Sequence, residues 1–233
     1  MNIGIIGTGM VGSALARRLA RLGHTLSISN SRGSHTLWQF AGEIGALATT
    51  TNEAARSGEI VIVAIPERAV MDLPKDLFAG VAADTVVIDT GNYYPSRDGQ
   101  IAAIDAGQTE SRWVSERLGR PVVKAFNTIY FKNVLEKGAP PGAAGRLAVP
   151  VAADGRGERE TVLQLVDDLG FDPVDAGGLD DSWRQQPGTP CYGKELEAPG
   201  LKEALAAAER NRIAEYRKAA DDAARAFFRP PPR

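Results

Sequence analysis

The order strand, glycine-rich loop, helix, strand over residues 1–32 constrains the fold of this chain more than any other stretch. Asn2–Ile6 is a short apolar run, which predicts a buried strand. Gly7–Gly12 follows at once, and beyond it leucines recur at the spacing of one helix face over residues 15–22. Residues 24–29 then predict a second strand, which the helix connects to the first.

Each glycine of this loop has a mechanical role in a dinucleotide site. Gly7 permits a tight turn, Gly9 lets the backbone approach a pyrophosphate, and Gly12 allows the helix to pack closely on the strand. The helix start also presents free N–H groups and a positive dipole end to phosphate groups. A GxGxxG motif between a strand and a helix is a much stronger signal than the motif alone, so it predicts dinucleotide binding.

The end of the second predicted strand indicates which dinucleotide is preferred. A site for NAD usually has an acidic residue about 20 residues further on, which binds the ribose 2′-hydroxyl. This chain has Asn30, Ser31 and Arg32 at that place, and no acid. An arginine pairs with a 2′-phosphate through a charged fork, and serine hydroxyls donate to it. The stretch therefore favours NADP(H) over NAD.

The rest of the chain alternates predicted strands with helices, which is typical of a doubly wound parallel sheet. The strongest later strand is predicted at residues 59–66, which show no polar alternation. We predict an α/β, Rossmann-type fold with a small C-terminal extension and a long C-terminal helix. The predicted division is an NADP-binding domain over residues 1–145 and a small α/β and helical region over residues 146–233. The proline tail at residues 230–232 is predicted to be disordered.

Composition argues against several classes of function. The 27 basic and 29 acidic residues nearly balance, which argues against nucleic-acid binding. No apolar segment reaches the ~18 residues that a transmembrane helix needs, and the first strand begins at the N-terminus, so we expect no membrane association and no signal peptide. With one cysteine and two histidines, we expect no internal disulfide, no metal site and a cytoplasmic location.

Five stretches occur in the order found in one known family: Gly7–Gly12, Asn30–Arg32, Ala64–Pro66, Asp89–Asn92 and Lys124–Ile129. On these residues the chain resembles the NADPH-dependent oxidoreductases that act with the deazaflavin coenzyme F420. That family includes the reductase domain of eukaryotic membrane metalloreductases. The resemblance covers most of residues 1–176, and the segment Trp183–Tyr192 is similar to a bacterial branch of the family.

The resemblance implies a role for each matching position. The residues implied to bind the cofactor are Gly7, Thr8, Gly9, Met10, Val11, Gly12, Asn30, Ser31, Arg32, Ile65, Pro66, Asn92 and Asn127. The glycine loop would hold the pyrophosphate, and the stretch ending in Arg32 would hold the 2′-phosphate. Ile65 and Pro66 would line the path from adenosine to nicotinamide. The two asparagines would lie near the nicotinamide, in agreement with the rule that ligands bind outside the carboxyl ends of the strands.

The reaction that the resemblance implies is hydride transfer between NADP(H) and a planar redox coenzyme, either deazaflavin F420 or a flavin. Such a transfer needs stacking and orientation more than a strong acid or base. The absence of an obvious catalytic histidine or lysine fits this reaction. Asn127 is the one candidate for a catalytic residue, and Lys124 is expected to be structural or solvated.

Two alternatives stay open. A dehydrogenase or reductase of a small hydroxy acid or imine would need a proton donor and usually a larger helical domain. A non-catalytic NADPH-sensing module would bind the cofactor without turnover.

Two further segments carry expectations. The Trp183–Tyr192 loop is a candidate wall of the substrate pocket, a covering loop or a dimer contact. The C-terminal helix presents a stripe that is mostly alanine, which permits close helix approach but buries little alone. We therefore expect the protein to be a homodimer.

Overall fold

Six parallel strands form the central sheet of this computed structural model, which describes residues 1–228. The strands are β1 (Asn2–Ile6), β2 (Thr25–Ser29), β3 (Leu47–Ala48), β4 (Ile60–Val63), β5 (Val86–Asp89) and β6 (Val123–Lys124). Their spatial order is β3-β2-β1-β4-β5-β6, and every neighbouring pair is parallel. The direction of winding reverses between β1 and β4, which is the point where a doubly wound sheet binds its ligands.

Helices connect the strands and cover the sheet. They are α1 (Met10–Arg21), α2 (Trp38–Ile44), α3 (Thr51–Arg56), α4 (Glu67–Val70), α5 (Pro95–Asp98), α6 (Ala102–Asp105), α7 (Glu110–Leu118), α8 (Phe131–Glu136), α9 (Arg156–Asp168), α10 (Ala198–Ala206) and α11 (Ile213–Phe228). Turns of 3-10 helix occur at Ser34–Leu37, Leu179–Gln185 and Arg210–Arg212. Within residues 1–228, no helix has both the length and the apolar character that crossing a membrane requires.

A second pair of parallel strands, β7 (Ala148–Val151) and β8 (Asp172–Asp175), lies beyond β6. The backbones of Lys124 and Ala152 exchange two hydrogen bonds, of 2.8 and 3.0 Å, in an antiparallel bridge. Helix α9 connects β7 to β8. The bridge holds this C-terminal extension at the carboxyl end of β6.

The sheet is buried on both faces, so its strands are continuous apolar runs and do not alternate with polar residues. In β4, Ile60 and Ile62 belong to the core on one side of the sheet, and Val61 and Val63 belong to the core on the other. All four side chains are at most 1% exposed. Each contributes about 1.5–3 kcal/mol by leaving water. The first core continues into the C-terminal extension, where it includes Phe171.

The predicted α/β, Rossmann-type fold is confirmed, including its C-terminal extension and its C-terminal helix. That helix begins at Ile213, because the backbone at Glu209 is extended and separates it from the shorter helix α10. The 3-10 turn at Leu179–Gln185 leads into the Trp183–Tyr192 loop and buries Trp183. The division at residue 145 stays a prediction, and the proline tail at residues 230–232 lies outside the described residues.

Helix α11 packs on the loop that follows β5. Asp221 accepts hydrogen bonds from the backbone N–H and the hydroxyl of Ser96, at 2.9 and 2.7 Å. The Arg97 guanidinium lies 5.3 Å from the ring centroids of both Tyr94 and Phe228, which are arranged edge to face. The helix therefore packs against its own chain, and the homodimer stays a prediction.

Candidate dinucleotide site

A cavity of about 640 Å³ opens at the carboxyl edge of the sheet, at the switch point between β1 and β4. The glycine loop after β1 and residues 64–66 after β4 form its centre, and residues 30–32 after β2 form one side. The cavity therefore joins the carboxyl ends of three neighbouring strands. Its size and position are those of ligand sites in doubly wound folds.

The glycine loop has no space for a Cβ atom at two of its glycines and has space for one at a third. Gly7 has a φ of +100°, and a Cβ there would lie 2.4 Å from the carbonyl oxygen of Ala64. A Cβ on Gly12 would lie 1.9 Å from the carbonyl oxygen of Gly7, so α1 approaches the loop this closely only with glycine. A Cβ on Gly9, by contrast, would meet no atom within 4 Å. The packing of the protein itself therefore does not require glycine at position 9. A ligand lying directly against this backbone would require it.

The start of α1 offers free donors at this cavity. Gly9 precedes the helix, and no side chain caps it. The first backbone hydrogen bond runs from Ser13 to Gly9 at 2.9 Å, so the amides of Met10, Val11 and Gly12 have no acceptor within the helix. The first turn contains no acidic residue. The end of the helix thus carries an uncompensated partial positive charge, which favours a phosphate group.

Arg32 lies on an exposed turn at the side of the cavity. Its backbone N–H donates to the side-chain oxygen of Asn30 at 2.9 Å, and the Asn30 amide donates to Thr36 at 2.9 Å. The turn is therefore held by its own side chains. The Arg32 guanidinium makes no hydrogen bond or ion pair with any other part of residues 1–228, which leaves its five N–H donors to a ligand.

The cavity wall includes most of the predicted cofactor positions. Those on the wall are Gly7, Thr8, Gly9, Asn30, Ser31, Arg32, Ile65 and Pro66. Met10, Val11 and Gly12 lie in the first turn of α1, and Asn92 and Asn127 lie outside the wall, after β5 and β6. Sequence reasoning missed the wall residues Ile6, Thr50, Thr51, Asn52, Ala64, Ala69, Asp72, Leu73 and Pro74. The polar run after β3 was the available signal for residues 50–52, because it follows a strand end.

Asn92 and Asn127 bind each other. The Asn92 amide donates to the backbone carbonyl of Asn127 at 3.0 Å, and the Asn127 amide donates to the Asn92 side-chain oxygen at 3.1 Å. Asn127 also donates to the backbone carbonyl of Gln185 at 2.6 Å and accepts from its side chain at 3.0 Å. Phe126, just before, has a φ of +61°, a strained value for a non-glycine residue. The turn after β6 is thus fixed against both the β5 loop and the Trp183–Tyr192 loop.

Two tyrosines join the same loops. The hydroxyls of Tyr94 and Tyr192 lie 2.5 Å apart, and the backbone N–H of Gly193 donates to Thr128 at 3.1 Å. Burial raises the pKa of Tyr94 and, more strongly, that of Tyr192, where Tyr94 adds to the effect. Both phenols are therefore protonated at neutral pH.

Lys124 is fully buried beneath these loops. Its Nζ lies 3.1 Å from the carboxylate of Asp89 and donates to the carbonyl oxygen of Gly91 at 2.6 Å. Ser111 donates to the same carboxylate at 2.6 Å, and the Gly91 N–H donates to it at 2.8 Å. Burial lowers the pKa of Lys124, but Asp89, Glu67 and other nearby carboxyls reverse this and raise it overall. The amine is therefore a buried cation with a satisfied partner, and it is not exposed to a substrate.

Two buried glutamates adjoin this ion pair. Glu67 is 0% exposed, and neither of its carboxyl oxygens has a hydrogen-bond partner within residues 1–228. Glu110 is 1% exposed and accepts one hydrogen bond, from the backbone N–H of Tyr93 at 3.2 Å. Burial, with Asp89 adding to it, raises the pKa of Glu67 well above its usual range. Burial also raises the pKa of Glu110 to about 7.

The remaining reactive side chains lie outside the cavity. In the part of the chain that the structure describes, no three His, Cys, Asp or Glu side chains are grouped as metal ligands. Cys191 is buried, and burial raises the pKa of its thiol to about 11. The thiol is therefore protonated and a poor nucleophile at neutral pH.

Known proteins resemble this chain in sequence. A protein of Escherichia coli (strain K12) named YjhV is 38% identical over 106 residues, which are 46% of this chain and 65% of YjhV. The mitochondrial 3-hydroxyisobutyrate dehydrogenase of Drosophila melanogaster is 29% identical over 96 residues, 40% of this chain and 29% of the enzyme. The chain thus spans less than two thirds of the length of these curated relatives.

Solved structures resemble it over a larger part. The hypothetical protein SMa0349 from Sinorhizobium meliloti superposes with a TM-score of 0.71 and 28% identity, over 84% of this chain and 96% of that one. A protein from Arthrobacter sp. FB24, described as a candidate F420-dependent NADP reductase, gives a TM-score of 0.64 and 24% identity, over 76% and 85%. Residues 2–93 match the model of a family described as "NADP oxidoreductase coenzyme F420-dependent". These residues, which hold the glycine loop and the Arg32 turn, are similar to that family of NADP oxidoreductases.

Proposed function

We propose that this protein is an NADP(H)-dependent oxidoreductase that transfers hydride between the nicotinamide and a planar redox coenzyme. The observation that carries the proposal is one cavity that combines an open glycine loop with the unpaired guanidinium of Arg32. The family match over residues 2–93 supports it.

In this proposal, different residues of the cavity bind different parts of the cofactor. The free amides after Gly9 hold the pyrophosphate, and Arg32 with Ser31 holds the 2′-phosphate. Ile65 and Pro66 line the path to the nicotinamide. The asparagine pair described above holds the turn at the nicotinamide end, so we propose that Asn127 positions this end and does not exchange protons.

Arg32→Ala is expected to weaken NADPH binding at least about tenfold and to leave NADH binding nearly unchanged. The reason is that a guanidinium–phosphate pair contributes roughly 1.5–3 kcal/mol, and NADH has no 2′-phosphate. Calorimetric titration of both cofactors measures the two losses. Arg21→Ala is a matched control, because it removes the same charge from the other end of α1. Equal losses of NADPH and NADH in Arg32→Ala would refute the assignment.

The proposed acceptor is deazaflavin F420 or a flavin. A ring of this kind spreads the incoming charge over itself, so the protein need only align two faces at about 3–3.5 Å. The structure agrees with this demand, since Lys124 and Cys191 are buried and the asparagine amides are already paired. The pocket wall would come from the turn after β6 and the Trp183–Tyr192 loop.

One observation favours the alternative, reduction of an imine or oxidation of a small hydroxy acid. The Tyr94–Tyr192 phenol pair beside the turn after β6 is a neutral donor that such a reaction could use. NADPH oxidation should be followed with F420, FMN and FAD in one series and with imines and ketoacids in another. The proposal expects turnover only in the first series.

The double variant Tyr94→Phe/Tyr192→Phe separates the two reactions further. It removes both hydroxyls of the pair and keeps both rings, so coenzyme reduction should keep at least about half its kcat, whereas an imine reductase would lose about 10²–10⁴-fold. Stopped-flow traces of NADPH absorbance give both rates. A large loss with F420 or a flavin as acceptor contradicts the planar-coenzyme proposal.

We also propose that the protein acts as a cytoplasmic homodimer, on the basis of its single cysteine and the alanine-rich surface of α11. Because α11 packs on its own chain, only part of its surface is left for a partner. Sedimentation equilibrium of the intact chain tests the dimer, and a monomer at all concentrations rules it out.

A further inference from the structure

Two buried glutamates, Glu67 and Glu110, lie next to the β5 loop at the proposed nicotinamide end of the site. The proposed hydride transfer does not use either carboxyl. Glu67 directly follows Pro66, which lines the cavity. A Cβ on Gly91 would lie 2.3 Å from the Glu67 carboxyl, so this carboxyl packs directly against the backbone of the β5 loop. The next residue of that loop is Asn92. Glu67 thus lies between the cavity wall and the loop that bounds the proposed nicotinamide site.

The cations near Glu67 are already paired with other carboxylates. The charged groups around it are Asp89 on β5, Lys124 on β6, Glu110 on α7 and the Arg97–Asp98 ion pair of 2.8 Å on α5. The amine of Lys124 is already bound to Asp89 and to a backbone carbonyl. Since both oxygens of Glu67 also lack hydrogen-bond donors within residues 1–228, an ionised carboxylate there is strongly disfavoured.

Glu110 is also buried, but its ionised form is less strongly disfavoured than that of Glu67. It accepts one backbone hydrogen bond, and Lys124 and Arg217 on α11 favour its ionised form. Arg217 is itself held by Asp105 at 3.5 Å. Burial raises the pKa of Glu110 to about 7, so a charge that appears nearby can change its protonation in the neutral range.

We propose that Glu67 and Glu110 form a proton-binding pair whose occupancy is linked to the oxidation state of the bound nicotinamide. This inference rests on the proposed function, because it requires NADP(H) in the cavity. The oxidised ring carries one positive charge and the reduced ring carries none. A positive charge near a buried carboxyl favours its ionised form. The NADP⁺ complex therefore holds fewer protons than the NADPH complex.

The released proton goes to solvent. No bond of the cofactor changes when it leaves, and no electron moves in this step. Because linkage is reciprocal, a site that releases protons when NADP⁺ binds also binds NADP⁺ more tightly as the pH rises. A release of about half a proton corresponds to about a threefold gain in NADP⁺ affinity, relative to NADPH, per pH unit.

Calorimetric titration in buffers of different ionisation enthalpy counts these protons directly. At pH 7 we expect NADP⁺ binding to release a measurable fraction of a proton more than NADPH binding. The 2′-phosphate can also change protonation on binding, but it is common to both cofactor forms and cancels in the difference. The measurement needs no turnover and no knowledge of the acceptor.

Glutamine variants identify which side chains release the protons. Glu67→Gln and Glu110→Gln each replace a proton-binding carboxyl by a neutral amide of the same shape, so the fold should tolerate them. Each should reduce the difference between NADP⁺ and NADPH, and the double variant should abolish it. Glu116→Gln is the matched control, since this exposed residue lies on the same helix as Glu110 and should leave the difference unchanged.

Three results would overturn the proposal, and they differ from one another. If the wild-type protein binds both cofactors with proton counts within about 0.1 of each other, the cofactor site stands and the linkage does not exist. If the double variant binds both forms and keeps the difference, other groups release the proton. If neither cofactor binds, the proposed function itself fails, and the linkage fails with it.

Discussion

Replacing Lys124 by alanine is expected to destabilise the fold by about 3–5 kcal/mol, because it leaves a buried carboxylate without its cation. The Lys124 side chain is 0% exposed and that of Asp89 is 2% exposed, so water cannot replace the lost partner. Asp89 would keep only the hydrogen bonds from Ser111 and Gly91. Urea unfolding of the variant at pH 7 measures the loss.

Two companion variants separate this effect from a general cost of removing a lysine. Lys137→Ala breaks an ion pair with Glu195 in which both side chains are about half exposed, and it should change stability by less than about 1 kcal/mol. The double variant Lys124→Met/Asp89→Asn removes both charges and should regain most of the loss. If Lys124→Ala unfolds at the same urea concentration as Lys137→Ala, the ion pair is not what holds β5 to β6.

The dinucleotide-binding half could be predicted from the sequence because its signals are local. The strand, the glycine loop and the helix lie within residues 1–32, and the distance that requires glycine at position 12 is set by the backbone of Gly7 in the same loop. The role proposed for Arg32 also rests on a single strand end. Such patterns need no knowledge of how distant parts of the chain meet.

The buried charges could not be predicted in the same way. Lys124 and Asp89 are 35 positions apart, and β5 is buried on both faces, so no alternation indicates which way its polar side chain points. Glu67 looks in sequence like an ordinary first-turn acid of a helix, where its charge would be favourable. Only the packing of Gly91 against it shows that the carboxyl is enclosed.

The Trp183–Tyr192 loop shows a second limit. It has no periodicity, yet it is fixed by contacts from three distant segments: Asn127 binds Gln185, Tyr94 binds Tyr192, and the backbone of Gly188 packs against that of Tyr216 on α11. A Cβ on Gly188 would lie 2.0 Å from the Tyr216 carbonyl oxygen. Tertiary contacts of this kind order a segment whose own sequence predicts a loop.

Gly9→Val is expected to leave the fold intact and to weaken NADPH binding by at least about a hundredfold. The backbone of Gly9 is extended, with φ −72° and ψ −162°, which a β-branched residue adopts without strain. The added side chain meets no protein atom near its Cβ and fills the space where the pyrophosphate would touch the loop. Loss of two hydrogen bonds between amides and a charged phosphate amounts to about 3 kcal/mol or more, which is more than a hundredfold in affinity.

The pattern across cofactors distinguishes this variant from Arg32→Ala. NADH has the same pyrophosphate, so Gly9→Val should weaken NADH and NADPH binding alike, whereas Arg32→Ala should weaken NADPH alone. Gly157→Val makes the same substitution in the exposed first turn of α9, again where a Cβ meets no atom within 4 Å, and should change neither affinity. Thermal unfolding of both valine variants checks that the fold is kept. A Gly9→Val protein that folds and binds NADPH as tightly as the wild type would show that the dinucleotide, if it binds at all, does not lie on this loop.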